Sequence, residues 1–180
     1  MYASNNGFRS VMRMMFVATA VPMIIYASAA LAQEMTTTFV GVDGEPKGSA
    51  KISSMNDGTL LTLDLAGMTE GWHGVHFHEK ASCDVASKFE SAGSHVSIQG
   101  ERQVHGIMMA SGPHAGDLPN VWVGPDGTGK AEFFTPFVLG KDLLDPNGSS
   151  LVVHASADDH KTNPSGNSGD RIACGTLVKQ

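Results

Sequence analysis

The sequence holds 180 residues, with 12 Lys and Arg against 18 Asp and Glu and a formal net charge of −6 at pH 7. No basic stripe runs through it, which argues against nucleic acid as a partner. The length suits one domain with a sizeable core rather than several.

The chain opens MYASNNGFRSVMRMMFVATAVPMIIYASAALAQ. Arg9 and Arg13 precede an apolar run from Met14 to Leu31 that closes in Ala30-Leu31-Ala32. A positive start, an apolar middle and a small-residue end make a secretory signal peptide, cut between Ala32 and Gln33. Pro22 inside the run speaks against an uncleaved anchor. The stretch before Arg9 is long for a leader, so Met12 and Met14 are alternative starts. Cleavage divides the chain into a leader, 1–32, and one domain, 33–180. Both leader arginines are lost and no acid is, so the mature net charge is −8. No later segment is long and apolar enough to span a bilayer, so no stable membrane insertion is expected after cleavage. The two cysteines, Cys83 and Cys174, lie 91 positions apart. In an exported chain they read as one disulfide, worth about 4–5 kcal/mol through loop closure, against the alternative of two buried free thiols.

Short alternating segments follow. TTFVGV (37–42) and SAKISSM (49–55) flank DGEPKG, and TLLTLDL (59–65) follows the turn NDG. Leu61, Leu63 and Leu65 share one face, with Thr62 and Asp64 on the other. HGVHFH (73–78) reads as a fourth strand. NVWVG (120–124) and GKAEFFT (129–135) flank PDG, a hairpin signal. SLVVHA (150–155) and RIACGTLVK (171–179) complete about eight strands, and no stretch keeps a helical period. The expected fold is all-β, an eight-stranded antiparallel barrel or sandwich. Two connections, 79–119 and 156–170, are too long for turns and are expected to carry function.

All eight histidines fall between residues 73 and 160. His76 and His78 stand two apart on a strand, so their rings share a face, about 7 Å apart at Cβ, a span that a metal can bridge. His73 is at an odd offset and is expected to face away in a structural role. H-x-H alone is a weak signal. The first long loop adds His95, His105 and the pair His114 and Asp117 in GPHAGDLPN. Three His and one Asp make a closed tetrahedral set of the kind zinc prefers. His154, at a strand end, joins His76 and His78 in a nitrogen-rich set suited to Cu(II). Met108 and Met109 are expected to be packing residues rather than thioether ligands.

Six stretches, HGVHFHE, SAGSH, GPHAGDLPN, GPDGTG, VVHASADD and GDRIACG, occur in the order seen in bacterial secreted copper,zinc superoxide dismutases, and the sequence resembles that family over nearly all of 60–178. The resemblance implies a Greek-key barrel with one copper and one zinc ion per subunit. It implies copper ligands at His76, His78, His95 and His154, and zinc ligands at His95, His105, His114 and Asp117, with His95 shared as a bridging imidazolate. It further implies that Asp158 joins a copper histidine to a zinc histidine, that Arg171 guides the anion, and that Cys83 and Cys174 form the family's intrasubunit disulfide.

Some positions depart from the family. The segment after His95 lacks the usual Asn/Asp-Pro and takes ten residues to reach His105, Val75 stands where Phe is more usual, and His160 has no family role and is expected to be an inert, exposed residue.

The implied reaction is dismutation of superoxide anion to oxygen and hydrogen peroxide by copper cycling, in the periplasm, with Arg171 as the main attractor. Lys80 and Lys161 are weaker candidates, and Thr162 with NPSGNSG is a candidate channel mouth. Monomers and homodimers both occur in the bacterial branch. The competing reading is a non-catalytic periplasmic copper- and zinc-binding module on the same fold.

Overall fold

A computed structural model describes Met1, residues 33–55, 57–98 and 104–144, Pro146 and residues 148–178. The expected leader lies outside the described residues. Nine strands form among those described: β1 (Gln33–Gly41), β2 (Pro46–Met55), β3 (Gly58–Leu65), β4 (Gly71–His73), β5 (Val75–His78), β6 (Val121–Val123), β7 (Gly129–Thr135), β8 (Ser149–His154) and β9 (Arg171–Leu177). Seven make one antiparallel sheet in the order β5-β8-β9-β1-β2-β3-β7, and β4 and β6 pair separately. The chain leaves β3 for β4, crosses to β5 at one edge, returns to β6, and reaches the other edge at β7. These crossings give the curled all-β architecture of the expected barrel class.

The alternation of β3 builds the core as expected. Leu61, Leu63 and Leu65 are buried, while Thr62 and Asp64 face solvent. They pack with Phe39, Ile52, Val75, Phe77, Leu151 and Val153. Burying each such side chain is worth about 1.5–3 kcal/mol.

Two elements differ from the sequence reading. The expected strand 73–78 is two strands in separate sheets: β4 ends at His73 and β5 begins at Val75. Gly74 is the break, its N–H bonded to the Ser156 carbonyl and its carbonyl accepting from His154 N–H. The expected hairpin also divides. The turn closes through Gly124 N–H to Thr128 O at 2.8 Å. Yet β6 pairs with β4 and β7 pairs with β3.

The free edge of β5 is covered by the first long loop. Phe77 N–H donates to Gly116 O, and Val96 N–H donates to Phe77 O, both at 2.9 Å. Isolated bridges set His76 beside Asp117 and His78 beside His95. An edge strand has unpaired backbone groups to satisfy, and satisfying them here brings loop ligands against strand ligands.

Candidate metal centre

His76 pairs with Val152, and Val152 with Cys174, so the three share one face of the sheet, and His78 lies on it with His76. Val75 and Phe77 occupy the opposite face, in the core. A bulge between Val153 and His154 shifts the β8–β9 register and pairs His154 with Arg171; bulges re-aim side chains in this way.

His76, His78, His95 and His154 are all buried, and one ligand atom from each lies within 4.8 Å of the others. Three of these rings have one nitrogen engaged and the other buried without a partner. His76 donates through Nε2 to Asp158 Oδ2 at 2.7 Å, leaving Nδ1. His78 donates through Nδ1 to Gly93 O at 2.9 Å, leaving Nε2. His154 donates through Nδ1 to Gly169 O at 3.2 Å, leaving Nε2. Buried nitrogens normally find partners, so three convergent lone pairs fit a metal ion that prefers imidazole.

A second group forms around one oxygen. Asp117 Oδ1 accepts from Nδ1 of His95 at 2.8 Å and Nδ1 of His105 at 3.0 Å, while Nδ1 of His114 stands 3.4 Å away. The tight four-residue set here is His76, His95, His105 and Asp117. His114 borders it, its ring centroid 5.6 Å from that of His95 and 5.7 Å from that of His105. Three imidazoles converging on one carboxylate fit a tetrahedral cation. Gly106 N–H and His114 N–H fix the other oxygen, Oδ2, at 2.8 and 3.0 Å.

Asp158 ties the groups together. Its Oδ2 holds His76, and its Oδ1 accepts from His105 Nε2 at 3.0 Å. Gly166 makes room for it, because a Cβ there would run into the Asp158 carboxylate. Both carboxyls stay ionised far below their usual range; burial opposes this, and the histidine hydrogen bonds outweigh it. Burial likewise opposes charge on His105, but Asp117 and Asp158 together raise it to about 9. His76 falls to about 3 and His154 to about 4, in each case because burial disfavours the imidazolium.

A cleft of about 550 Å³ opens over this centre, lined by His78, His95, His154 and Arg171 among others. Arg171 donates from Nη1 to Phe89 O at 2.7 Å and from Nη2 to Gly93 O at 2.8 Å. Phe89 is fully buried in a small cluster with Ala92, Val152 and Cys174, beside Cys83. Cys83 and Cys174 are bonded, with Cα atoms 5.6 Å apart. The disulfide therefore anchors the segment whose carbonyls seat the arginine.

Residues 46–177 match the profile of the copper/zinc superoxide dismutase family. The chain belongs to that family. A superoxide dismutase [Cu-Zn] of Caulobacter vibrioides is 44% identical over 141 residues, covering 75% of this chain and 80% of that one. A superoxide dismutase-like protein of Bacillus subtilis is 44% identical over 146 residues, covering 77% and 73%. The solved structure of a SOD-like protein from Bacillus subtilis superposes with a TM-score of 0.72 at 39% identity, covering 79% of this chain and 97% of that one. The Cu/Zn superoxide dismutase from Brucella abortus gives 0.67 at 25% identity, covering 81% and 100%. The protein is accordingly a superoxide dismutase that uses copper and zinc.

Met108, Met109 and His160 of this superoxide dismutase sit otherwise than the sequence suggested. Met108 and Met109 are not packed; they are 65% and 37% exposed. The reason is local: they ride a turn held at its base by Met109 N–H to Gly106 O. His160 is not exposed. Its side chain is 19% accessible, its ring Nε2 accepts from Asn120, and its backbone N–H donates to Asp158 Oδ1 at 2.6 Å. Lys80 and Lys161 are exposed and are not among the cleft residues, whereas Pro164 and Ser165 of NPSGNSG are. His73 is buried with both ring nitrogens against carbonyls, of His154 at 2.7 Å and Thr69 at 2.9 Å.

Sequence reasoning missed Asn120, whose side chain holds both the N–H and the carbonyl of Asp158, at 2.7 and 2.9 Å. It also missed Phe89 and Gly93, which act through backbone oxygens and leave no residue-type signal.

Proposed function

We propose that His76, His78, His95 and His154 hold the copper of this superoxide dismutase, and that His95, His105, His114 and Asp117 hold the zinc. The observation that carries this is the set of three buried, unpartnered ring nitrogens, His76 Nδ1, His78 Nε2 and His154 Nε2, beneath a cleft that also holds Arg171. Copper supplies the reversible one-electron change that dismutation needs, which zinc lacks. His95 belongs to both groups and would be shared between the two ions as an imidazolate. Its Nδ1 is committed to the Asp117 side, so Nε2 is the atom that takes up a proton and gives it to the peroxide product. Asp158 fixes the ring orientations of His76 and His105, one on each carboxylate oxygen. Arg171 draws superoxide into the cleft, because a guanidinium fixed in the cleft lining focuses attraction on an anion. His73 is structural, joining β4 to the end of β8. Residues 1–32 are a cleaved signal peptide that delivers residues 33–180 to the periplasm.

Metal content of single variants tests the ligand sets. His78→Ala should lose copper and its electron paramagnetic resonance signal while keeping zinc. His114→Ala should lose zinc and keep copper. His95→Ala should disturb both. A His78→Ala protein with an unaltered copper signal would overturn the copper set.

A further inference from the structure

The seat of Arg171 includes a carboxylate that does not hold it. Two backbone carbonyls fix the guanidinium, those of Phe89 and Gly93. Glu90, which follows Phe89 in the chain, brings Oε2 to 3.8 Å from Nη2, beyond hydrogen-bond reach. Its side chain is 74% exposed while that of Arg171 is 15% exposed. Glu90 nevertheless lines the same cleft as His78, His154 and Arg171. The neighbouring Glu79 is tied to the backbone, accepting from Ser94 N–H at 3.3 Å; among the described hydrogen bonds the Glu90 carboxylate makes none. Its effect on an entering ligand is therefore through charge.

Coulomb energy is linear in the charge of the ligand. A lone arginine attracts a dianion with twice the energy it gives a monoanion, so it would favour phosphate-like ions over superoxide. A carboxylate beside it repels a dianion with twice the energy it costs a monoanion. If Glu90 lowers the encounter of a monoanion by some factor, it lowers that of a dianion by about the square of that factor. We propose that Glu90 is a specificity-determining residue of the cleft: it weakens attraction for superoxide modestly in order to keep polyvalent anions from the copper. This rests on the reading of Arg171 as the guiding cation.

The test uses the copper- and zinc-loaded, disulfide-intact protein, with Glu90→Gln and Arg171→Gln as separate variants. Three quantities are read: the second-order rate constant with superoxide, azide binding from the copper visible band, and inhibition by inorganic phosphate at a pH where it is a dianion. At low ionic strength Glu90→Gln should raise the superoxide rate and tighten azide by about threefold each, and strengthen phosphate inhibition by about ninefold. All three effects should shrink once the Debye length falls to about 10 Å near 0.1 M salt. If Glu90→Gln strengthens phosphate no more than azide, or moves none of the three, the filter is overturned. Arg171→Gln separates the two readings. If it lowers the superoxide rate while Glu90→Gln is silent, only the filter falls; if it leaves the rate unchanged, the guiding reading falls and the filter with it.

Discussion

His78 and Arg171 donate to the same oxygen: the Gly93 carbonyl accepts from His78 Nδ1 at 2.9 Å and from Arg171 Nη2 at 2.8 Å. A ring proposed to bind copper and the cation proposed to attract the substrate are thus held in register by one backbone atom. Reversing the arginine's charge tests its share. Arg171→Glu should slow dismutation by about 10- to 100-fold, most at low salt, with copper and zinc content unchanged. The check is a rate measurement across ionic strength with metal analysis of the same samples.

Gly93 itself should tolerate no side chain. Its φ is +79°, and a Cβ would lie 2.6 Å from Glu79 Oε1 and 2.8 Å from Glu79 Cγ. Gly93→Ala should cost about 1–3 kcal/mol of stability. It should also lower both copper affinity and rate, since both donors to its carbonyl shift together. Thermal unfolding and chelator competition report the two effects, and a stability loss with copper affinity unmoved would show that the shared acceptor is not limiting.

Asp158→Asn keeps the shape of the link between His76 and His105 but removes its charge. Copper and zinc affinities should each fall by about 10- to 100-fold, measured by competition with a calibrated chelator. A loss confined to zinc would restrict the role of Asp158 to His105.

The disulfide closes a span of 91 residues. Replacing Cys83 and Cys174 by Ser should cost about 4–5 kcal/mol in the metal-free protein on loop-closure grounds, read from denaturant unfolding. The rate of the loaded protein should fall as well, because the cluster around Phe89 loses its anchor. Unchanged kinetics would show that Phe89 holds its carbonyl in place without the bridge.

In the metal-free protein, acid should act before the carboxylates titrate. His76 is depressed to about 3 and His154 to about 4 from an ordinary 6.5, and His78 and His95 are lowered too, burial being the first cause in each. Groups depressed on folding bind protons more readily when unfolded, so stability is lost as pH falls from about 6.5 towards 4. His105, which burial would lower but Asp117 and Asp158 raise to about 9, behaves oppositely: its contribution is complete below 6.5 and is lost as pH climbs through about 9. The urea midpoint should fall between pH 6.5 and 4, and a flat midpoint there would contradict a pocket of buried neutral imidazoles.

Residue type and order by themselves determined the all-β class, the alternating core of β3 and the pairing of Cys83 with Cys174. They also picked out the histidines and the two aspartates that the fold gathers, because strands of period two and polar loops leave their pattern in local sequence. Tertiary structure decided the rest. It divided HGVHFH at Gly74, exposed Met108 and Met109, buried His160 in part, and set His76 rather than His114 in the tight group around Asp117. It also recruited Asn120, Phe89, Glu90 and Gly93. Most of these act through backbone atoms or through a charge placed by a distant contact. Such roles depend on which carbonyl lies 2.7 Å from which guanidinium, a relation between segments 82 residues apart that no local pattern of side chains encodes.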